Sequence, residues 1–306
     1  MELSIVIPVY QAAGSLPELH KRIKGAVAAI PGNYQLILVD DGSTDNSWNI
    51  IEQLASADMG ITAIKLSRNF GQHHAITAGL DFCKGNRVIV MDCDLQDQPE
   101  EIPALYKKAQ EGYDIVFAKR TNRTDSFIKK IFSRLFFSVF SYLTGIKYDA
   151  SVANFGIYDA KVINVIRQMK EPMRAFFPMV QWVGFSRTSV AVDHGSRFEG
   201  KSTYTFKKLS RLAADIILSY SDKPLRIIVK LGFIISLLAF IAAVYTLVKY
   251  FNNQIVVSGY TSIILSIWLL GGLIIFILGV IGLYIARIFS GIKNRPFYIV
   301  DKKINA

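Results

Sequence analysis

Two cysteines, Cys83 and Cys93, are all that this chain of 306 residues contains. So low a count excludes a disulfide-framed secreted scaffold and fits free thiols in a reducing compartment. A basic n-region and a cleavage site are also missing, because Met1-Glu2 leads straight into the strand-like Leu3-Ser-Ile-Val-Ile-Pro8; no signal peptide is expected. The Gly-x-Gly-x-x-Gly fingerprint and the P-loop are absent, which speaks against a dinucleotide cofactor and against an ATPase. Charge is missing altogether from Tyr260 to Ala286, and Ile227 to Val248 carries only Lys230. Each run is long enough to cross a hydrocarbon core of ~30 Å, which takes about 20 helical residues. Two transmembrane helices are therefore expected, at 227–248 and 260–286, since buried core helices normally keep a polar stripe.

The connection Lys249 to Gly259 holds one positive charge. Lysine and arginine are dense before the first run (Lys207, Lys208, Arg211, Lys223, Arg226) and after the second (Arg287, Lys293, Arg295, Lys302, Lys303). The positive-inside rule then places both termini on the cytoplasmic side of the inner membrane. The expected organisation is a cytoplasmic domain over 1–225, a membrane part over 226–290 and a cytoplasmic tail over 291–306. A net charge of +11 admits nucleic acid or an anionic membrane surface as partner, and the apolar runs favour the membrane over nucleic acid. Within 124–145, Phe127, Ile128, Ile131, Phe132, Leu135, Phe136, Val139, Phe140 and Leu143 recur at helical spacing with Lys129, Lys130 and Arg134 among them. That composition suits a helix lying at headgroup depth, as does 204–224, although an aromatic stripe also suits an ordinary core helix.

The first 120 residues alternate short β-branched apolar segments (Leu3 to Pro8, Tyr34 to Val39, Ile61 to Leu66, Arg87 to Met91, Asp114 to Ala118) with helical patterns. This predicts an α/β fold, a mostly parallel sheet with helices on both faces. The string Val90-Met91-Asp92-Cys93-Asp94-Leu95-Gln96-Asp97 sets hard oxygen donors where the fourth strand ends, the place where open α/β sheets bind ligands. Such donors suit Mg²⁺ or Mn²⁺, and an ion held by few protein groups is best explained by a diphosphate that completes its shell. Alternation in an extended segment would point Cys93 away from the two aspartates. Asp40-Asp41-Gly42-Ser43-Thr44-Asp45 follows the second strand. Its carboxylates can bind base or ribose donors while Gly42 lets the backbone turn closely around them, and Ser43 or Asp45 can cap the next helix. For His73-His74, with no third ligand at metal spacing, packing at a helix terminus is expected rather than catalysis.

In order and at suitable spacing stand Val6-Ile-Pro8-Val-Tyr10, Val39-Asp-Asp41-Gly-Ser-Thr-Asp45, Leu66-Ser-Arg-Asn-Phe-Gly71, Ala78-Gly79-Leu80, Asp92-x-Asp94-Leu-Gln96-Asp97 and Ala118-Lys-Arg120. Together they resemble an inverting glycosyltransferase of GT-A fold. With the apolar runs and Arg197-x-x-Gly200-x-Ser202-x-Tyr204, nearly the whole chain resembles the polyprenyl-phosphate glycosyltransferases. That group includes dolichyl-phosphate mannose synthases and bacterial undecaprenyl-phosphate glucosyltransferases of O-antigen modification. The resemblance implies catalytic roles for Asp94, Arg120 and Arg197, and a nucleotide-sugar pocket of Pro8, Tyr10, Asp40, Asp41 and Asp92. It implies a metal, Mg²⁺ or Mn²⁺, on Asp94, Gln96 and Asp92, and an acceptor phosphate near Lys129, Ser133, Arg197 and Ser202. A nucleotide sugar (a UDP-sugar foremost) and a polyprenyl phosphate would be the substrates, and a homotetramer the assembly.

Two departures stand out. Where many relatives read Asp-Phe-Arg, this chain reads Asn154-Phe155-Gly156, and Thr203 replaces a common lysine. The first suggests altered sugar specificity through Asn154, with the small Gly156 leaving room for a bulkier sugar. Two other functions are open to the same motifs: a processive polysaccharide synthase, which lacks its expected Gln-x-x-Arg-Trp here, and a non-catalytic nucleotide-sugar-binding membrane partner.

Overall fold

The structure, a computed structural model, describes residues 1–120, 138–145, 152–193, 195, 206–252 and 259–306. It begins with β1 (Leu3–Val9), α1 (Leu16–Val27), β2 (Tyr34–Asp40), α2 (Ser47–Ala57), β3 (Ile61–Leu66), α3 (Gln72–Asp81), β4 (Arg87–Val90), α4 (Ile102–Ala109) and β5 (Ile115–Arg120). Every residue of β1 is buried, as is all of β2 except Tyr34. Strands covered on both faces read as unbroken apolar runs, which is why the sequence marks them so clearly. In α1, Pro17 stands in the first turn and Leu16, Leu19, Ile23, Ala26 and Val27 form the buried face. These residues join Ile5, Ile7, Leu36, Ile51, Ile89, Leu105 and Val116 in one core cluster. On the other side of the sheet, α3 lies very close: a Cβ added at Gly79 would stand 2.4 Å from Val6 Cγ1.

After the helical stretch α5 (138–144) follow β6 (Val152–Asp159), α6 (Ala160–Gln168), α7 (Phe176–Trp182) and β7 (Arg187–Val192). With β8 (Val300–Ile304) they complete a sheet in the order β7-β5-β6-β4-β1-β2-β3-β8. Strands β4, β1, β2 and β3 run parallel, whereas β6 is antiparallel to both β4 and β5. The chain moves from β1 outward to β2 and β3, then returns to the other side of β1 as β4. The topological switch therefore lies between β1 and β4.

The expected C-terminal tail contains an element of the sheet. Strand β8 pairs antiparallel with β3, Ser67 N donates to Ile299 O at 2.9 Å, and Asn305 Nδ2 donates to Ala55 O at 2.7 Å and to Ile61 O at 3.0 Å. Its Asp301-Lys302-Lys303 hides the strand from any apolar pattern, but such charges belong on an edge strand, where they block further pairing.

Chain contacts divide the molecule into two units: Met1–Tyr142 with Ile146–Leu209 and Arg295–Ala306, and Leu143–Gly145 with Ser210–Asn294. The second unit contains most of α8 (Phe206–Tyr220), with α9 (Lys223–Phe251) and α10 (Tyr260–Ile292). Lys223–Ala242 and Ser266–Ile292 are long and apolar enough to cross a membrane. Their large side chains, Phe233, Leu238, Phe240, Ile275 and Phe276 among them, are exposed, an arrangement that suits lipid and not water. Arg287 pairs with Asp215, and Tyr284 Oη donates to Ser221 O at 3.0 Å. Of the two stretches expected to lie at the interface, 204–224 contains the helix α8 and 124–145 the helix α5, while residues 121–137 and 201–205 lie outside the described ones.

Candidate active site

Parallel pairing aligns Val9 with Asp40 and Val6 with Val90. The segments that follow β1, β2 and β4 thus emerge together at the carboxyl edge of the sheet, across the switch point. Pro8 is buried within β1, and Tyr10 just beyond it is 42% exposed. Asp40 is fully buried; its Oδ1 accepts from Ser43 N at 3.3 Å, its Oδ2 has no hydrogen-bond partner among the described residues, and burial raises its pKa. An acceptor so placed calls for a donor.

Asp41 has a different task. Its two oxygens accept from Phe70 N at 2.7 Å and Gly71 N at 2.9 Å, which fastens the β3–α3 loop to the end of β2. Gly42 has a φ of 66°, and a Cβ there would lie 2.5 Å from Arg68 C. The close turn expected around a ligand is made instead around the chain's own Arg68–Asn69 backbone. Capping falls to Asp45, which accepts from Ser47 N at 3.1 Å and from Ala13 N at 3.3 Å, while Ser43 Oγ accepts from Gln11 N at 3.0 Å.

The segment after β4 curls back on itself. Leu95 is buried with a φ of 60°, and Asp94 Oδ1 accepts from Gln96 N at 3.2 Å. A non-glycine residue in this region is strained and is held there by its packing. Asp92 Oδ1 accepts from Gln72 Nε2 at 2.7 Å, and Asp97, 4% exposed, stands 3.6 Å from Arg120 Nη2. Burial, with the charges of Asp97 and Asp94, pushes the Asp92 carboxyl up to about 7; burial, opposed by Arg120, pushes Asp97 up to about 6. Carboxylates crowded in this way are relieved by a divalent cation, and all are hard oxygen donors. Among the described residues no three acidic, histidine or cysteine side chains form a ready-made cage. Mg²⁺ needs none, since it is commonly bound by one or two carboxylates together with substrate phosphates and water. The residues present fit such an ion.

Cys93 packs against the core, and burial with the charges of Asp92 and Asp94 pushes its thiol up to about 12; the segment is bent here rather than extended, so the alternation of a strand does not govern it. His73, in the first turn of α3, is pushed down to about 4 by burial, and His74 stacks on Phe297. Both pack at a helix terminus.

The sequence model for glycosyl transferase family 2 matches residues 4–166, more than half of the chain and all of this constellation. The chain belongs to glycosyl transferase family 2. Among curated relatives, an uncharacterized glycosyltransferase of Synechocystis is 38% identical over 98% of this chain and 95% of that protein. The undecaprenyl-phosphate 4-deoxy-4-formamido-L-arabinose transferase of Proteus mirabilis is 35% identical over 99% and 94% respectively. A prophage-derived bactoprenol glucosyl transferase of Shigella flexneri is 33% identical over 99% and 98%.

Within this family 2 fold, β6 carries the position expected to set sugar specificity. The β4–β6 ladder pairs Val90 with Gly156, and two residues beyond on either strand stand Asp92 and Asn154. The room expected over Gly156 is already filled. A Cβ there would meet Tyr158 Oη at 2.7 Å and Val116 O at 3.0 Å, and Tyr158 is itself buried against Phe117 and Phe176. Sequence reasoning did not assign roles to Gln72, Asp97 or Tyr158. Asp97 stood inside a quoted motif, but its partner Arg120 is 23 residues on and no local pattern pairs them. Lys129, Ser133, Arg197 and Ser202 lie outside the described residues.

Proposed function

We propose that this family 2 enzyme transfers one sugar from a nucleotide sugar, a UDP-sugar foremost, to the phosphate of a polyprenyl lipid, undecaprenyl phosphate in a bacterium. The transfer takes place on the cytoplasmic leaflet with inversion at the anomeric carbon, and its product serves cell-envelope polysaccharide modification. One observation carries the reading: the carboxylate-lined switch point and two helices fit to cross a bilayer belong to one chain. The names of the Proteus and Shigella relatives, which span almost all of this chain, support the choice of acceptor.

In this reading Asp40 and Asp41 lie at the nucleoside end, with Asp40 Oδ2, unpartnered among the described residues, for a base or ribose donor and the exposed Tyr10 for stacking. Asp92, Asp94 and Gln96 would hold Mg²⁺ or Mn²⁺. When bound, the ion supplies positive charge to the departing diphosphate. Arg120, held by Asp97, supplies guanidinium charge at the same edge. Arg197, Lys129, Ser133 and Ser202 would receive the acceptor phosphate. A phosphate monoester is already anionic at neutral pH, so its oxygen can attack without a strong general base. The burial that keeps His73 neutral and its pKa near 4 agrees with that economy. The homotetramer implied by the resemblance draws no support from the single chain or its relatives and is not part of this reading.

The test uses purified chain in detergent with undecaprenyl phosphate and a panel of radiolabelled UDP-, GDP- and dTDP-sugars, with Mn²⁺, with Mg²⁺ and with EDTA. Label entering the organic phase from one donor, and only with metal, is the expected result. Label in a water-soluble polymer would favour a processive synthase, and donor bound but never turned over would favour a non-catalytic partner.

A further inference from the structure

The turn that opens α3 is fixed on several sides. Asp41 holds the backbone N–H groups of Phe70 and Gly71, and Gly42 packs against Arg68 at a distance only glycine allows. One turn along, His74 stacks on Phe297, whose ring also lies 4.8 Å beneath the Arg174 guanidinium. Arg174 is buried and donates to Met169 O, Ile166 O and Thr77 Oγ1. At the head of this braced turn Gln72 extends its carboxamide to Asp92 Oδ1 at 2.7 Å. Asp92 otherwise faces the charges of Asp97 and Asp94.

We infer that Gln72 is a positioning residue: by occupying Oδ1 of Asp92 it fixes the carboxylate's rotation and presents Oδ2 to the donor diphosphate and its cation. It also sets the register between the two ends of the donor site. Asp41 fastens the loop, the loop fixes the start of α3, and Gln72 transmits that position to Asp92, so nucleoside and diphosphate contacts are held by one continuous set of hydrogen bonds. The residue is neutral, which suits the task. A lysine there would compete with the cation for Asp92, and a glutamate would add to the crowding of negative charge. The inference rests on the proposed placement of a divalent ion at Asp92 and Asp94.

The test compares wild type with Gln72→Ala and Gln72→Met in the full-length chain in detergent. Met keeps about the length and bulk of Gln and removes its hydrogen-bonding carboxamide, including the N–H that meets Asp92. Mn²⁺ affinity is measured in the presence of UDP from the electron paramagnetic resonance signal of unbound Mn²⁺, with metal-free UDP binding and the melting temperature as controls. A partner that orients a metal ligand typically contributes about 10- to 100-fold in metal affinity, so both variants should lose Mn²⁺ affinity by that factor with both controls unchanged. Wild-type affinity in both variants would overturn the inference and leave the proposed function standing. Loss in Gln72→Ala with full affinity in Gln72→Met would reduce Gln72 to packing and also overturn it. A wild-type chain that binds no Mn²⁺ with UDP would overturn the inference together with the metal placement in the proposed function.

Discussion

Asp92 shows how the site sets stability against function. Its carboxyl is pushed up to about 7 in the folded chain, first by burial and then by Asp97 and Asp94, whereas an unperturbed aspartate titrates near 3.9. The folded state therefore binds this proton more tightly than the unfolded state does. Above pH 7 the ionised group weighs against folding, and that burden lifts as pH falls from 7 towards 4. Asp92→Asn can still accept from Gln72, so without metal it should melt higher than wild type at pH 8, by about 2–4 °C for each kcal/mol relieved, and the gain should vanish near pH 4. The same variant should lose transfer, which calorimetry and the lipid-extraction assay would together reveal. A wild-type melting temperature at pH 8 would contradict the electrostatic account. At this scale the sequence was legible where chemistry is local. Asp92, Asp94 and Gln96 announce themselves by spacing, but the pairs Gln72–Asp92 and Asp97–Arg120 join loops that only the sheet brings together. The reading of Gly156 failed for the same reason: the side chain that fills its space, Tyr158, is identified only by the strand's packing.

Strands β1 to β5 agree with the apolar runs to within two residues at each end, because parallel strands buried on both faces leave an unbroken signature. Strands β6, β7 and β8 have mixed patterns and distant partners, and β8 adds two lysines. Strand β8 matters for stability as well as topology. Removal of 295–306 would expose the β3 edge and release the His74–Phe297 stack, so the truncated chain should melt lower and aggregate through that edge, as light scattering on heating would report. A milder probe is Asn305→Ala, which leaves Ala55 O and Ile61 O without their donor and should cost about 1–3 kcal/mol in denaturant unfolding of the full chain in detergent. Gly42→Ala should be at least as damaging, since it joins a positive φ to a backbone clash; a variant as stable as wild type would show that the Arg68–Asn69 loop can move aside.

At the scale of the whole molecule, charge distribution predicts sidedness. If the positive-inside reading holds, the Lys249–Gly259 connection lies outside the cytoplasm and both termini lie within it. In intact cells a membrane-impermeant maleimide should label Ser258→Cys, and should label Lys302→Cys only after permeabilisation. The native thiols give little background, because burial pushes both Cys83 and Cys93 up to about 12 and so keeps them as unreactive thiols. Labelling of Lys302→Cys in intact cells would reverse the orientation and with it the leaflet proposed for the reaction. The central claim is narrower than the topology: one sugar is passed to a lipid phosphate. Mass spectrometry of the lipid extract after reaction of purified chain, undecaprenyl phosphate and the donor chosen by the panel addresses it most directly. The account predicts undecaprenyl phosphate carrying a single sugar, formed by wild type and not by Asp94→Ala. Unmodified lipid in a reaction that consumes the donor, or a lipid bearing a growing chain of sugars, would contradict it.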